Sequence, residues 1–295
     1  MNPLESKISN LSLYGRQVRQ FMSYFALAEK RPDLVFLTEI IQRFTSFPYE
    51  NISKIIKFNH NFDNETKIRL PEEIMEDHLD YNLGGTCFSL TYFLQVILFS
   101  NGFICYPVMA DMRAGQNIHC CLIVDLKGKK YLVDPGYLLS QPMEINPSKP
   151  RLYRTEHTGV ELLFDEREQA FNLYTFHKND IKWRYRFKDR PTPPDEFLQH
   201  WYASFTKNAM HGICLTKITD RGLVYVHKYF MRETSFHGKR NVNIRQNYHA
   251  AIQEIFGIKR ELVENALAAI SENMAKERES GLHIKRESGV FNASQ

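Results

Sequence analysis

Residues 82–100 read Asn-Leu-Gly-Gly-Thr-Cys-Phe-Ser-Leu-Thr-Tyr-Phe-Leu-Gln-Val-Ile-Leu-Phe-Ser. Two glycines break whatever helix precedes them and free the backbone for unusual angles. From Cys87 onward the run is apolar nearly all round, the pattern of a buried helix, and Asn101-Gly102 stops it. Thr86 stands where an N-cap belongs, so Cys87 falls on the first helical residue. Unpaired amides at a helix start carry partial positive charge. They favour a thiolate and can receive a developing oxyanion. A buried cysteine is also an ordinary small hydrophobe. On this local pattern alone both readings stand.

Working towards the N-terminus, the chain reads as helical. Apolar residues recur near a 3.6 period over 21–28 and 34–47, for example Leu34, Leu37, Ile40, Ile41 and Phe44. Asp33 is a plausible N-cap for the second of these helices, and Pro48 ends it or begins a turn. Pro71-Glu72-Glu73 predicts a further helix start, with acids at the positive end of the dipole, running to about Tyr81.

Towards the C-terminus the period changes. Residues 105–112, 119–126, 130–134, 161–164, 170–176 and 183–187 are short and rich in Val, Ile, Leu, Tyr and Phe, and they read as strands of a sheet or barrel. Lys127-Gly128 marks a hairpin between the second and third. Arg190-Pro191-Thr192-Pro193-Pro194 is a stiff linker. Beyond it follow a helix over 195–204, a hairpin over 213–228 and two helices over 246–256 and 259–275. These readings divide the chain at 100/101 and 194/195, with 276–295 expected to be a mobile polar tail.

Composition narrows the function classes. The chain has 295 residues, 43% hydrophobic and 24% charged, which excludes wholesale disorder, collagen and a disulfide scaffold. Its 38 Lys+Arg against 34 Asp+Glu give a net charge of +4, too small to predict a nucleic-acid binder. No apolar run approaches the roughly 18 residues of a membrane span. The first residues lack the basic-then-apolar plan of a signal peptide, so a reducing cytoplasm is the expected location. The five cysteines, Cys87, Cys105, Cys120, Cys121 and Cys214, include no C-x-x-C pair. No metal site is expected, because His227, His237 and His249 share no ligand spacing with a nearby acid or cysteine. Cys105, Cys120, Cys121 and Cys214 read as core.

A thiolate needs a base. If Lys127-Gly128 is a two-residue loop, Leu126 pairs with Lys129, and Asp134 falls opposite Cys121. Asp134 is then diagonal to His119 on the same face, a distance long side chains can span. In that register Asp134 can fix one imidazole nitrogen while the other faces a thiol. A three-residue loop would destroy the arrangement. Taken separately, a strand histidine and an Asp before Pro-Gly have dull explanations; the order Cys87, His119, Asp134 joins them.

Leu83-Gly84-Gly85-Thr86-Cys87-Phe88, His119 and Tyr131-Leu132-Val133-Asp134-Pro135-Gly136-Tyr137 together resemble the arylamine N-acetyltransferases. Phe47-Pro48-Tyr49-Glu50-Asn51-Ile52 is similar to that family's Pro-Phe-Glu-Asn segment. Trp201-Tyr202-Ala203-Ser204 with 208–226, and 246–258, resemble its later regions, so the likeness covers most of 10–270. The resemblance implies an α+β fold of N-terminal helical bundle, central antiparallel β-barrel and C-terminal α/β lid. It implies acetyl transfer from acetyl-coenzyme A, as co-substrate, to an aromatic amine or hydrazine through a cysteine thioester, with Cys87 as nucleophile, His119 as imidazole partner and Asp134 as orienting carboxylate. No metal, nucleic acid or membrane partner is implied, and coenzyme A contacts and oligomeric state are not legible. Phe47, Phe88 and Tyr137 are candidates for lining an aromatic pocket.

This sequence departs from the family pattern at Leu83, where Arg is usual, at Ser89, where Glu is usual, and at Thr91, where Asn is usual. Loss of an Arg and a Glu together reads as removal of a buried ion pair, leaving the surroundings of Cys87 less charged. Three other readings accompany the leading one: an amide synthase that takes an acyl chain from a carrier protein, a thiol hydrolase, and a binding domain on a decayed enzyme scaffold.

Overall fold

The Asp33 carboxylate receives the Phe36 amide at 2.8 Å and so starts a helix whose apolar stripe, Phe36, Leu37, Ile40, Ile41 and Phe44, is buried. In the computed structural model, which describes residues 3–281 apart from 63, 156, 179, 208 and 209, this is the third helix of an N-terminal group. The group comprises α1 (Pro3–Ser9), α2 (Gly15–Tyr24), α3 (Leu34–Phe44), a two-residue strand β1 (Tyr49–Glu50), α4 (Ile52–His60), α5 (Pro71–Tyr81) and α6 (Cys87–Ser100). The helix expected over 21–28 begins earlier and ends at Tyr24, where the chain turns through Ala26 at φ 50°. Helix α4 was not expected. Its Ile52, Ile55 and Phe58 share one buried face, but only nine residues carry the pattern. Helix α6 is the central post, with residues 87–94 and 96–98 all buried.

The next strands are β2 (Ile104–Met112), β3 (Gly115–Leu126), β4 (Lys129–Val133), β5 (Met143–Glu144), β6 (Arg151–Arg154), β7 (Gly159–Asp165), β8 (Ala170–His177) and β9 (Asp180–Phe187). They form one antiparallel sheet in the order β5-β4-β3-β2-β9-β8-β7-β6. Its edges are brought together by an Arg151–Glu144 ion pair at 2.8 Å, giving a nearly closed barrel filled by Val108, Ile123, Leu132, Leu162, Leu173 and Phe187. The β3–β4 loop is two residues, with Lys127 and Gly128 both at positive φ, as a tight hairpin requires. The register is therefore Leu126↔Lys129 through Leu122↔Val133.

After the proline linker come α7 (Pro194–Ala203), β10 (Cys214–Thr219), β11 (Gly222–His227), β12 (Phe230–Thr234), β13 (Lys239–Asn243), α8 (Tyr248–Phe256) and α9 (Arg260–Glu279). The second sheet runs β1-β10-β11-β12-β13, so the N-terminal segment supplies its edge strand. Residues of the N-terminal helices, the face of β3 turned to them, and the C-terminal elements share one apolar core. The architecture is thus the expected α+β arrangement of helices, barrel and lid. Helix α9 continues through 276–279, where a mobile tail was expected, because Asn273 and Lys276 dock on α4 at Ile55 O (3.3 Å) and Asn59 O (2.8 Å). The rest of that expected tail, 282–295, lies outside the described residues. Among the described residues no helix is long and apolar enough to cross a membrane.

Buried Asn51 ties β1 to the lid twice, donating to Gly212 O and accepting from the Cys214 amide, both at 2.8 Å. Asn51→Ala leaves both backbone groups unpaired and should cost about 2–3 kcal/mol in urea unfolding; unchanged stability would show that β10 is held without it.

Candidate active site

The paired glycines serve close approach rather than unusual backbone angles, since neither 84 nor 85 has positive φ. Segment 48–50 runs alongside them, with Glu50 N donating to Gly85 O at 3.0 Å and Gly85 N to Pro48 O at 3.3 Å. A Cβ on Gly84 would stand 2.1 Å from Pro48 O, which backbone cannot accommodate. The same segment pairs on its other side with β10, Tyr49↔Thr216 and Glu50↔Leu215. The turn before Cys87 is therefore clamped to the lid sheet through β1.

No ion pair joins positions 83 and 89, but the turn before Cys87 is not left without charge. Leu83 is buried in the apolar core, but a guanidinium arrives from another place in the chain. Arg69, 4% exposed, donates from Nη1 to Gly84 O at 2.7 Å, lies 3.4 Å from Glu50 Oε1, and donates from Nη2 to Asp77 Oδ2 at 2.6 Å. Glu50 is fully buried and also accepts from Ser53 N (2.9 Å) and Ser53 Oγ (2.5 Å). Position 89 takes no part in this ion network: Ser89 Oγ donates to Thr86 O at 3.0 Å, and Thr91 Oγ1 to Cys120 O at 3.3 Å. One arginine thus fixes α5, β1 and the glycine turn together. A charge buried this deeply needs such a complete set of partners.

Asp134 follows the last residue of β4 and has no exposed surface. Its Oδ2 is 2.8 Å from His119 Nε2 and accepts from Tyr185 Oη at 2.6 Å, while Oδ1 accepts from the Tyr137 amide at 3.0 Å. The His119 ring is held between Tyr137 and Tyr185, with centroids 5.2 and 4.8 Å away. With Nε2 taken by Asp134, Nδ1 is the ring nitrogen left to interact with Cys87, and the two groups favour each other's charged form. Gly136 marks where the three meet. A methyl there would come within 2.9 Å of Cys87 Cβ, 3.0 Å of His119 Cε1 and 3.3 Å of Asp134 Oδ1.

The electrostatics follow from these contacts. Burial works against charge on His119, but the Asp134 carboxylate, by charge and hydrogen bond, and Cys87 outweigh it and raise the imidazole from 6.5 to about 10. The neighbouring Cys120 thiol first, and then the His119 imidazole and the Lys54 ammonium, hold the Cys87 thiol well below its ordinary 9.0 against the cost of burial. Lys54 is a second buried cation, brought down to about 8 by burial. Its Nζ donates to Ser204 O (3.1 Å) and Ser204 Oγ (2.7 Å) and lies 4.4 Å over the Phe205 ring. Both shifts favour the thiolate–imidazolium form of the pair.

Of the proposed pocket aromatics only Tyr137 is beside this cluster. Phe47 is sealed in the helical core against Phe44 and His78, and Phe88 against Phe197 and Trp201. Tyr49 was missed as a neighbour of the cluster. The phenol of this half-buried tyrosine is pushed well above its usual range by desolvation first and then by nearby Cys214 and Cys87. Arg69, Tyr185 and Cys120 were also missed. Arg69 and Tyr185 come from outside the motifs, and nothing in the sequence signals their approach.

A family profile described as N-acetyltransferase matches residues 33–265. The chain belongs to the arylamine N-acetyltransferase family. It is 27% identical over 195 residues to arylamine N-acetyltransferase 1 of the cat, a match spanning 58% of this chain and 73% of that protein. The arylamine N-acetyltransferase from Mycobacterium abscessus superposes with a TM-score of 0.72 at 16% identity, over 86% of this chain and 95% of that one. A Bacillus cereus member, reported to have a Cys-His-Glu catalytic triad, superposes at 0.63 and 17%, over 82% and 98%.

Arg69→Met should cost about 3–5 kcal/mol by stranding the buried Glu50 carboxylate, and adding Glu50→Gln should recover much of it. An equal cost for single and double variants would remove Glu50 as the reason. For pH, the stabilisation His119 draws from its pairing is whole below 6.5 and is lost as pH rises through about 10. The Cys87 thiolate, with its lowered pKa, persists as pH falls until well below 9.0. Alkylation of Cys87 by iodoacetamide should therefore be nearly flat across neutral pH, where an ordinary thiol gains about tenfold per unit.

Proposed function

We propose that the chain transfers an acetyl group from acetyl-coenzyme A to an aromatic amine or hydrazine, in two steps through an acetyl thioester on Cys87. The observation that carries this reading is the convergence of Cys87, His119 and Asp134 around Gly136, in a member of this family. The Cys87 thiolate adds to the acetyl carbonyl and a new sulfur–carbon bond forms. The bond from carbonyl to coenzyme A sulfur breaks, and the departing thiolate takes the His119 proton. An amine nitrogen then attacks the enzyme thioester, neutral His119 accepts its proton, and the Cys87 thiolate is restored. Asp134 keeps the imidazole in one orientation and stabilises it when charged. In the Bacillus cereus relative the third member of the triad is Glu; here the acid is Asp134.

The surroundings suit these steps. Thr86 makes no side-chain cap, so the first-turn amides of α6 remain available to a carbonyl oxygen gaining charge. Breaking one thioester while forming another, with coenzyme A leaving as the thiol, is nearly balanced in energy, and productive transfer then depends on keeping water from the acyl enzyme. Tyr49 and Tyr137, both within electrostatic reach of Cys87, offer aromatic walls that serve this and an aryl acceptor alike. A reducing compartment such as the cytoplasm would keep all five thiols free.

Intact-mass measurement with acetyl-coenzyme A should show one acetyl adduct, absent in Cys87→Ala and discharged by an aromatic amine. Discharge to water alone would favour a hydrolase; an adduct only from a carrier-bound acyl chain would favour the amide synthase. No adduct from any thioester would overturn the reading. His119→Ala should lower transfer by about 10²–10⁴-fold with the fold retained; unchanged rates would remove His119 from the mechanism.

A further inference from the structure

We infer that Arg184, on a bulge of β9 beside Tyr185, is an anion subsite that selects aromatic amines carrying a carboxylate. The inference rests on the transferase reading of the same site and names its substrate class. It starts from an irregularity in the β8–β9 ladder. Leu173 pairs with Tyr185 but Tyr174 pairs with Trp183, so Arg184 is the extra residue of a β-bulge. A bulge interrupts the alternation of a strand and re-aims a side chain. Strand β8 stays regular. Its Phe171 and Leu173 face the barrel core, and Thr175, next on that face, is buried. Arg184 Nε donates to Thr175 Oγ1 at 2.6 Å, so the guanidinium is drawn to the inner side of the barrel. This is the end of the barrel that carries Asp134. Tyr185, the next residue, donates to Asp134 at 2.6 Å, and its ring centroid lies 4.8 Å from His119 and 5.3 Å from Tyr137.

The flanking cations of the strand are paired. Lys182 lies 3.6 Å from Asp180, and Arg186 lies 3.5 Å from Asp111 and 3.2 Å from Glu168. Arg184 makes no ion pair among the described residues. With Nε engaged by Thr175, its two terminal nitrogens remain as a fork of donors, the geometry that fits a carboxylate. The side chain is half-buried. A ligand can therefore reach it, and Thr175 holds it in place before a ligand arrives. Its charge is also felt at Tyr137: burial raises that phenol, and Arg184 is the first influence that opposes the rise. An aromatic acceptor lying along the Tyr137 wall, with its amine towards Cys87, would present a ring carboxylate at its far end to the guanidinium. Coenzyme A is the other source of anionic groups. Its phosphates lie beyond the whole pantetheine arm from the reacting thioester, whereas Arg184 is one residue from a side chain that touches Asp134 and His119.

The test compares para-aminobenzoate with its neutral methyl ester as acceptors, in the full-length wild type and in Arg184→Met, with Arg184→Gln should the first fold poorly. The ratio of kcat/KM for acid over ester should fall by about 10–100-fold in the variant, carried by KM for the acid. An unchanged ratio, or a fall carried by kcat alone, would overturn the inference. Acetyl loading of Cys87 is measured in the same proteins from acetyl-coenzyme A and from S-acetylpantetheine, which lacks the phosphates. A variant defect confined to acetyl-coenzyme A would place the anion on the donor and likewise overturn it. A readout without turnover separates this inference from the transferase reading. Benzoate should shield Cys87 of the wild type from iodoacetamide better than benzamide does, and Arg184→Met should lose that difference. Shielding by benzoate with no acetyl transfer to any amine removes the transferase reading and leaves the anion subsite. Transfer with no discrimination between acid and ester removes this inference alone.

Discussion

A carboxylate with no exposed surface has to be satisfied entirely by protein groups, and Asp134 is the constraint on which the site depends. It accepts from Tyr185, from the Tyr137 amide and from His119. Each partner comes from a different piece of the barrel: Tyr185 from β9, His119 from β3, and Tyr137 from the turn after β4. The barrel must close correctly for the charge to be tolerated, and once closed it holds the imidazole rigidly. The raised pKa of His119 is a consequence of that one buried acid, and the charged imidazole adds to Cys120 and Lys54 in favouring the Cys87 thiolate.

A second buried carboxylate, Glu50, does for the nucleophile turn what Asp134 does for the imidazole. Arg69 and Ser53 satisfy it, and the same guanidinium grips the Gly84 carbonyl. Because β1 also pairs with β10, the position of Cys87 is coupled to the lid sheet as well as to the helices. The two anchored halves meet at Gly136, where even a methyl group would crowd Cys87 and His119. Although Leu83 and Ser89 carry no charge, a guanidinium, that of Arg69, stands beside the glycine turn.

What could be read from sequence was whatever depends on near neighbours in the chain. The apolar run from Cys87 fixed the central helix, and the Lys127-Gly128 loop fixed a register that carries Asp134 towards His119, because a two-residue turn allows no other alternation. Helix α4 was passed over because nine residues give too short a period. Arg69 was invisible because its partners, Glu50, Asp77 and Gly84, are joined only by the fold. The glycines were noticed for the wrong reason: sequence suggests unusual angles, whereas the reason here is the carbonyl of Pro48, which belongs to another segment. Cys120 read as core and is core, yet it influences Cys87, the one cysteine whose thiolate is favoured rather than disfavoured. Phe47 and Phe88 show the converse error, since aromatic character does not say which side of a helix or turn faces a cavity.

The central claim is that Asp134, by holding His119 charged, helps to make Cys87 a thiolate. Thiolate absorbance near about 240 nm, followed against pH in the wild type and in Asp134→Asn, tests it most directly. The other cysteines do not interfere, because burial pushes Cys105 and Cys214 up to about 12 and places Cys120 and Cys121 well above 9.0. The account predicts a thiolate already present at neutral pH in the wild type, and its appearance in a folded Asp134→Asn protein delayed towards the ordinary 9.0. The same titration in both proteins would contradict it.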